Sequence, residues 1–190
     1  MKNIILFVFS LFVLLGNSCQ DVTIGYLLVQ DAAYNPDSLV IRTKSSLDVS
    51  EGTRNPAVEK FVKDMTGMSL EEFMNSMGLT YEEVAQMTGL EAYVGRGEDY
   101  DRCKWGMPWV STPIEGIDGT PPIYVSIKEI KSLDGGDAIA LDSVLTVRGN
   151  GTFEIPLYHD VPVGRYVISL NFRNEGYSKD VDDCFTIIVK

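Results

Sequence analysis

A glycine recurs every eleven residues through the middle of this chain, at Gly67, Gly78 and Gly89, and an apolar set at helical spacing precedes each one. Val58, Phe61, Val62 and Met65 fall at i, i+3, i+4 and i+7. Leu70, Phe73, Met74 and Met77 repeat the spacing, and Tyr81, Val84, Ala85 and Thr88 repeat it again. The starts carry signals as well. Asn55-Pro56 sets a capping residue before a first-turn proline. Ser69 with Glu72, and Thr80 with Glu83, have capping-box spacing. The glycines suit a left-handed stop. Residues 55–93 are therefore expected to form about three short helices. Helices of about ten residues do not persist alone in water, so each must bury its stripe against the others or against a sheet. Of the seven methionines, Met65, Met68, Met74, Met77 and Met87 lie in this segment. The buried spacing predicts that they fill a small helical core; the other use of such a cluster is an adaptable binding face.

On either side the period changes to two. Ile24, Tyr26 and Leu28 alternate within Val22 to Val29, and Leu39 and Ile41 within Ser38 to Thr43, with a turn signal at Asn35-Pro36-Asp37. After a Gly- and Asp-rich bridge, Ile123, Val125 and Ile127 alternate, then Leu145 and Val147, then Phe153, Ile155 and Leu157. Asn150-Gly151 between the last two runs is a hairpin signal. Tyr166, Ile168, Leu170 and Phe172, and finally Phe185, Ile187 and Val189, complete about seven strands, which favours an antiparallel β-sandwich. Pro162-Val-Gly-Arg-Tyr166 resembles the loop leading into a late strand of immunoglobulin-like and fibronectin-type-III-like domains. That resemblance implies an immunoglobulin-like sandwich with a helical insertion and carries no function. The cysteine-tryptophan-cysteine spacing of true immunoglobulins is absent. The expected organisation is residues 1–18 as signal, 19–54 as first strands, 55–93 as helical insertion, 94–121 as an aromatic bridge and 122–190 as the remaining strands.

Lys2, an apolar run from Ile4 to Leu15 broken only by Ser10, and the small residues before Cys19 read as an export signal. The run is too short for a stable transmembrane helix. Leu15-Gly16-Asn17-Ser18-Cys19 resembles the lipobox of bacterial lipoproteins, although Leu15 stands one place early and Asn17 is an uncommon occupant. The resemblance implies that Cys19 is lipidated; ordinary cleavage at the same bond would leave a free secreted domain. With Cys19 so used, Cys103 and Cys184 remain as an even pair in a compartment that permits disulfides. They are expected to be bonded, the competing reading being two buried free thiols.

Removing residues 1–18 takes away only Lys2 among the charges and leaves 15 basic against 27 acidic side chains on 172 residues. Such acidity argues against nucleic acid as a partner and against adsorption to anionic head groups, so membrane attachment would rest on the lipid anchor. His159 is the lone histidine, and no Gly-x-Ser-x-Gly elbow is present. One histidine and two distant cysteines make no zinc set. No catalytic residue, resident metal or cofactor is expected. Glu98, Asp99 and Asp101, and separately Asp180, Asp182 and Asp183, could offer oxygens to calcium, but neither group matches an EF-hand, and solvated loop carboxylates are the default. Tyr93, Tyr100, Trp105 and Trp109 form the best candidate ligand-binding feature. Their faces could stack on sugar rings; alternatively the tryptophans anchor the insertion to the sheet.

The signal, the Cys19-Gln20-Asp21 start and the sandwich pattern together resemble the small surface lipoproteins that accompany outer-membrane glycan-uptake systems of gut-type Gram-negative bacteria. The resemblance implies an outer-membrane lipoprotein, periplasmic or surface-facing, that captures glycans or assists uptake proteins without catalysis. The rival is a structural or adhesive subunit whose sheet edges pair with a partner strand.

Overall fold

The computed structural model describes residues 25–190; the expected export signal, Cys19 and the start of the expected first strand lie outside the described residues. The chain runs β1 (Leu27–Leu28), β2 (Ser38–Ile41), β3 (Thr53–Arg54), α1 (Pro56–Thr66), α2 (Leu70–Met77), α3 (Tyr81–Thr88) and β4 (Tyr93–Val94). It continues through α4 (Tyr100–Trp105), β5 (Trp109–Val110), β6 (Asp118–Gly119), β7 (Tyr124–Ser132) and α5 (Ala138–Asp142). It ends with β8 (Thr146–Val147), β9 (Phe153–Ile155), β10 (Gly164–Arg173) and β11 (Ser178–Val189). The result is a mixed fold, rich in strands and carrying five short helices among the described residues.

Two sheets build the body, one in the order β2-β11-β10-β7 and one in the order β5-β9-β8. The alternation in the sequence decides what lies between them. Tyr166, Ile168, Leu170 and Phe172 of β10 turn inward with Phe185, Ile187 and Val189 of β11, and Phe153 and Ile155 of β9 join them in one core. The Phe153 and Phe185 rings lie 5.1 Å apart, and Tyr34 packs on both, at 5.5 and 4.6 Å. The Tyr34 hydroxyl donates to the Gly151 carbonyl at 2.6 Å. That carbonyl belongs to the Asn150-Gly151 turn, which joins β8 to β9 as expected, with Val147 opposite Phe153. Tyr166, at the entry to β10, donates its hydroxyl to the Pro162 carbonyl at 2.7 Å, a tie from strand to preceding corner.

The arrangement departs from an all-antiparallel sandwich, because β2 runs parallel to β11, from Ser38 opposite Thr186 to Ile41 opposite Val189. Almost the whole chain separates the two strands, so no tight turn imposes an antiparallel direction. Among the described residues, the expected opening strand is Leu27–Leu28, paired with β6. The β10–β11 ladder breaks between Ile168 and Leu170, where Asp182, Asp183 and Cys184 bulge and Asp183 takes a positive φ of 50°.

The three central helices form as their sequence dictates. Ser69 and Thr80 close capping boxes with Glu72 and Glu83, Asn55 caps α1, and Gly67, Gly78 and Gly89 end the helices in the left-handed conformation. Val58, Val62, Leu70, Tyr81, Val84 and Ala85 make a second core, separate from that of the sheets. Expected methionine burial does not occur: Met65 is 71% exposed and Met87 64%, with Met68 and Met77 also exposed and Met74 alone packed on the core. Neighbours only eight residues long cover the narrow stripe of Val58 and Val62 and leave the flanking Phe61 and Met65 outside.

A neck joins this module to the body. Arg54 lies opposite Tyr93, and the Tyr81 hydroxyl receives the Asn55 amide at 2.8 Å and donates to the Ala92 carbonyl at 2.5 Å. Below it, buried Asp99 accepts from Arg42 at 2.7 Å and from the Asp48 amide at 3.0 Å.

Cys103 and Cys184 are free thiols in this structure, so the expected bond is not formed. Each packs on the sheet core, and the Cys184 thiol donates to the Ile168 carbonyl at 3.4 Å within its own hairpin. Burial pushes the Cys184 thiol up to about 11.

Candidate binding groove

Strand β9 supplies the floor of the site through the same alternation that builds the core. Phe153, Ile155 and Leu157 point inward, so Glu154, Pro156 and Tyr158 fall on the opposite face. These three, with Leu157, line an open groove of about 510 Å³. Thr146, directly opposite Glu154 on β8, and Val144 form one side; Gly106 and Pro108, from the turn between α4 and β5, form the other. Tyr158 is 55% exposed. Glu154 is the one carboxylate among the lining residues, and it is ion-paired with Arg148.

Helix α4 carries a further exposed aromatic, next to the lining residue Gly106. It ends at Gly106, held in the left-handed conformation at φ 60°, and Trp105 is the residue before that turn. Trp105 is 70% exposed, far beyond what a tryptophan needs for packing. Lys104 holds its ammonium 5.4 Å from the Trp105 ring centre, and Lys44 places its own 5.7 Å from the Tyr158 ring centre.

The other three expected ligand-binding aromatics are engaged. Trp109 is 5% exposed, packs in the sheet core and donates its indole N–H to the Leu157 carbonyl at 3.3 Å. Its ring is capped by Arg102 at 4.1 Å, so it is a core anchor. Tyr93 packs on Tyr81 in the helical core, and its hydroxyl donates to Glu82 at 2.6 Å. That bond raises the Tyr93 phenol and lowers the Glu82 carboxyl. Arg96 lies 4.3 Å from the Tyr93 ring centre and 4.5 Å from that of Tyr100. At such distances a guanidinium occupies a ring face.

The acidic groups are likewise committed to the fold. Arg42 holds Glu98 and Asp99, and Arg96 lies 3.7 Å from Asp101. Lys128 bridges Asp180 and Asp182 at 2.8 and 2.7 Å, and Lys131 reaches Asp183 at 2.9 Å. These lysines hold Asp180 and Asp183 below the usual carboxylate range. No group of three or more metal-ligating side chains comes together among the described residues. His159 is buried, and neither ring nitrogen has a hydrogen-bond partner among the described residues.

Sequence reasoning named Trp105, which stands next to the lining residue Gly106, and did not name the lining residues Tyr158, Glu154 and Pro156 or the lysine over Tyr158, Lys44. The period-two run through Leu157 already placed Glu154, Pro156 and Tyr158 on the outer face. The fold was needed to bring Gly106 beside them. No family model, curated protein or solved structure matches this chain.

Proposed function

We propose that this chain is a lipid-anchored, extracytoplasmic binding protein that holds glycan chains in the groove lined by Tyr158. The carrying observation is the exposed Tyr158 ring in the lining of an open groove, with Trp105, also exposed, one residue before the lining residue Gly106. Sugar rings present an apolar C–H face that stacks on such side chains, while Thr146 and Glu154 offer hydroxyl hydrogen bonds. Open grooves on a rigid strand surface suit a chain-like ligand.

An immunoglobulin-like classification belongs to the same reading. Two facing sheets and the Tyr166 hydroxyl bonded to the carbonyl four residues upstream support it. The adhesive rival would use a free sheet edge. The nine-residue edge strand β7 has Lys128 and Lys131 engaged with the next hairpin and a register break at Ser169, both features that oppose strand addition.

Glycan-array binding by the mature protein tests this function. Trp105→Ala and Tyr158→Ala should each abolish retention without moving the melting temperature. An array with no bound glycan, or variants that bind like the wild type, would end the proposal. The anchor is tested separately: Cys19→Ala should release the protein from membranes, and a wild-type N-terminus without acyl mass would exclude it.

A further inference from the structure

We infer that the glycan held in this groove bears methyl-ended substituents, of the acetyl or 6-deoxy kind, on the sugar units in contact; the inference rests on the glycan-binding function proposed above. The outer face of the β9 segment presents three different surfaces in order. Tyr158 offers an exposed ring, Pro156 follows between Pro108 on one wall and Val144 on the other, and Glu154 stands beyond it opposite Thr146. Residues two apart on an extended chain are separated by roughly 7 Å. The groove thus runs from an aromatic platform, across a carbon-lined middle, to a polar end.

None of the side chains of the middle carries a polar atom, and the backbone there is largely committed. Pro108 and Pro156 have no N–H to donate. The Pro108 carbonyl already accepts from Arg102 at 2.7 Å, and the Leu157 carbonyl accepts from the Trp109 indole at 3.3 Å. At the polar end the Thr146 hydroxyl donates to the Glu154 carbonyl at 3.2 Å, and the Glu154 carboxylate is paired with Arg148. Acceptor capacity remains on both side chains, so a sugar hydroxyl is served at that end.

A sugar bearing only hydroxyls would press them against Pro108, Val144 and Pro156, and they would lose water without replacement. A methyl group in the same place gains by leaving water, worth about fourfold in affinity for each methyl buried. An N-acetyl group, an O-acetyl group and the methyl of a 6-deoxy sugar all present this chemistry, and each leaves a C–H face of the sugar ring free to stack on Tyr158. They share a carbon end and differ in their attachment, which matched ligands can separate.

Binding titrations of the full mature protein decide the matter, with pairs of ligands that differ only in the substituent. The pairs are oligomers of N-acetylglucosamine against those of glucose in the same linkage, acetylated glucomannan oligomers against the same after mild alkali, and L-fucose against L-galactose. At least one methyl-bearing member should bind about fourfold tighter than its partner, or more, and the pair that shows it identifies the attachment. Pro156→Ser and Val144→Thr, which set a hydroxyl in the middle of the groove, should each bring that ratio toward one. Pro156 is exposed, so its variant should melt as the wild type does. The ratio is the readout because a loosened fold weakens both members alike. Equal, measurable binding within the pairs, or a preference that neither variant moves, would overturn the methyl inference and leave the glycan-binding function standing. So would an array on which only glycans without such groups retain the protein. No binding of any member, with a blank glycan array, would overturn both.

Discussion

Trp105 and Trp109 are four residues apart and carry opposite burdens. Trp109→Ala removes a buried indole and should cost about 3–5 kcal/mol, read as a large fall in melting temperature. A drop of under about 1 kcal/mol would contradict its role as core anchor. Trp105→Ala should leave melting almost unchanged, since its ring faces solvent. His159 gives a pH signature. Burial holds its imidazole below the ordinary value, so the unfolded chain takes up this proton more readily than the folded one. Stability from this residue is complete above about pH 6.5 and is lost as pH falls below that value through the folded pKa. His159→Leu should flatten this part of the curve in urea titrations, while the carboxylates, titrating lower, remain. An unchanged slope would show that the ring is already solvated. The cysteines give a simple count: the unfolded, non-reduced protein should show both Cys103 and Cys184 reactive toward a thiol reagent. Absence of both thiols, with a mass two hydrogens lower, would establish the bond that this structure lacks.

The elements differ in how far their own sequence holds them. In α2 and α3 the capping boxes are complete, and helices of eight residues depend heavily on such end contacts. Ser69→Ala and Thr80→Ala should each destabilise the helical module by about 1 kcal/mol. Hydrogen exchange should register this within residues 56–88 and leave β10 and β11 protected; uniform loosening of the whole chain would mean the two cores unfold together. Met65→Gln and Met87→Gln, at exposed positions, should change stability by less than about 0.5 kcal/mol. Legibility followed the same division. Helix ends were readable because caps and left-handed glycines act within a few residues. Helices α4 and α5, of six and five residues, have too little periodicity to announce themselves, and they are held by what surrounds them.

At the scale of the whole molecule, two cores share one short neck. Arg54 and Tyr93 already stand opposite each other, so the module leaves and rejoins the body at a paired position. Replacing residues 55–92 with Asn-Gly, the two-residue link that suits a hairpin, should yield a body that still unfolds cooperatively. Failure of that variant to show any cooperative transition would mean that the helical core supports the sheets.

By itself the sequence determined the helical repeat and its ends, the inward faces of β9, β10 and β11, and the Asn150-Gly151 hairpin. All of these rest on interactions within a turn, a strand or a single hairpin, whose period and stop signals are written in neighbouring residues. Tertiary structure decided the parallel pairing of β2 with β11, the exposure of the methionines, the free state of the two thiols and the opposite fates of Trp105 and Trp109. It also decided the groove, because Gly106 and Tyr158 are far apart along the chain and meet only when α4 ends beside the outer face of β9. A pattern of residue types states which side of an element is apolar; how much of that side a neighbour covers depends on the length and placement of elements elsewhere in the chain.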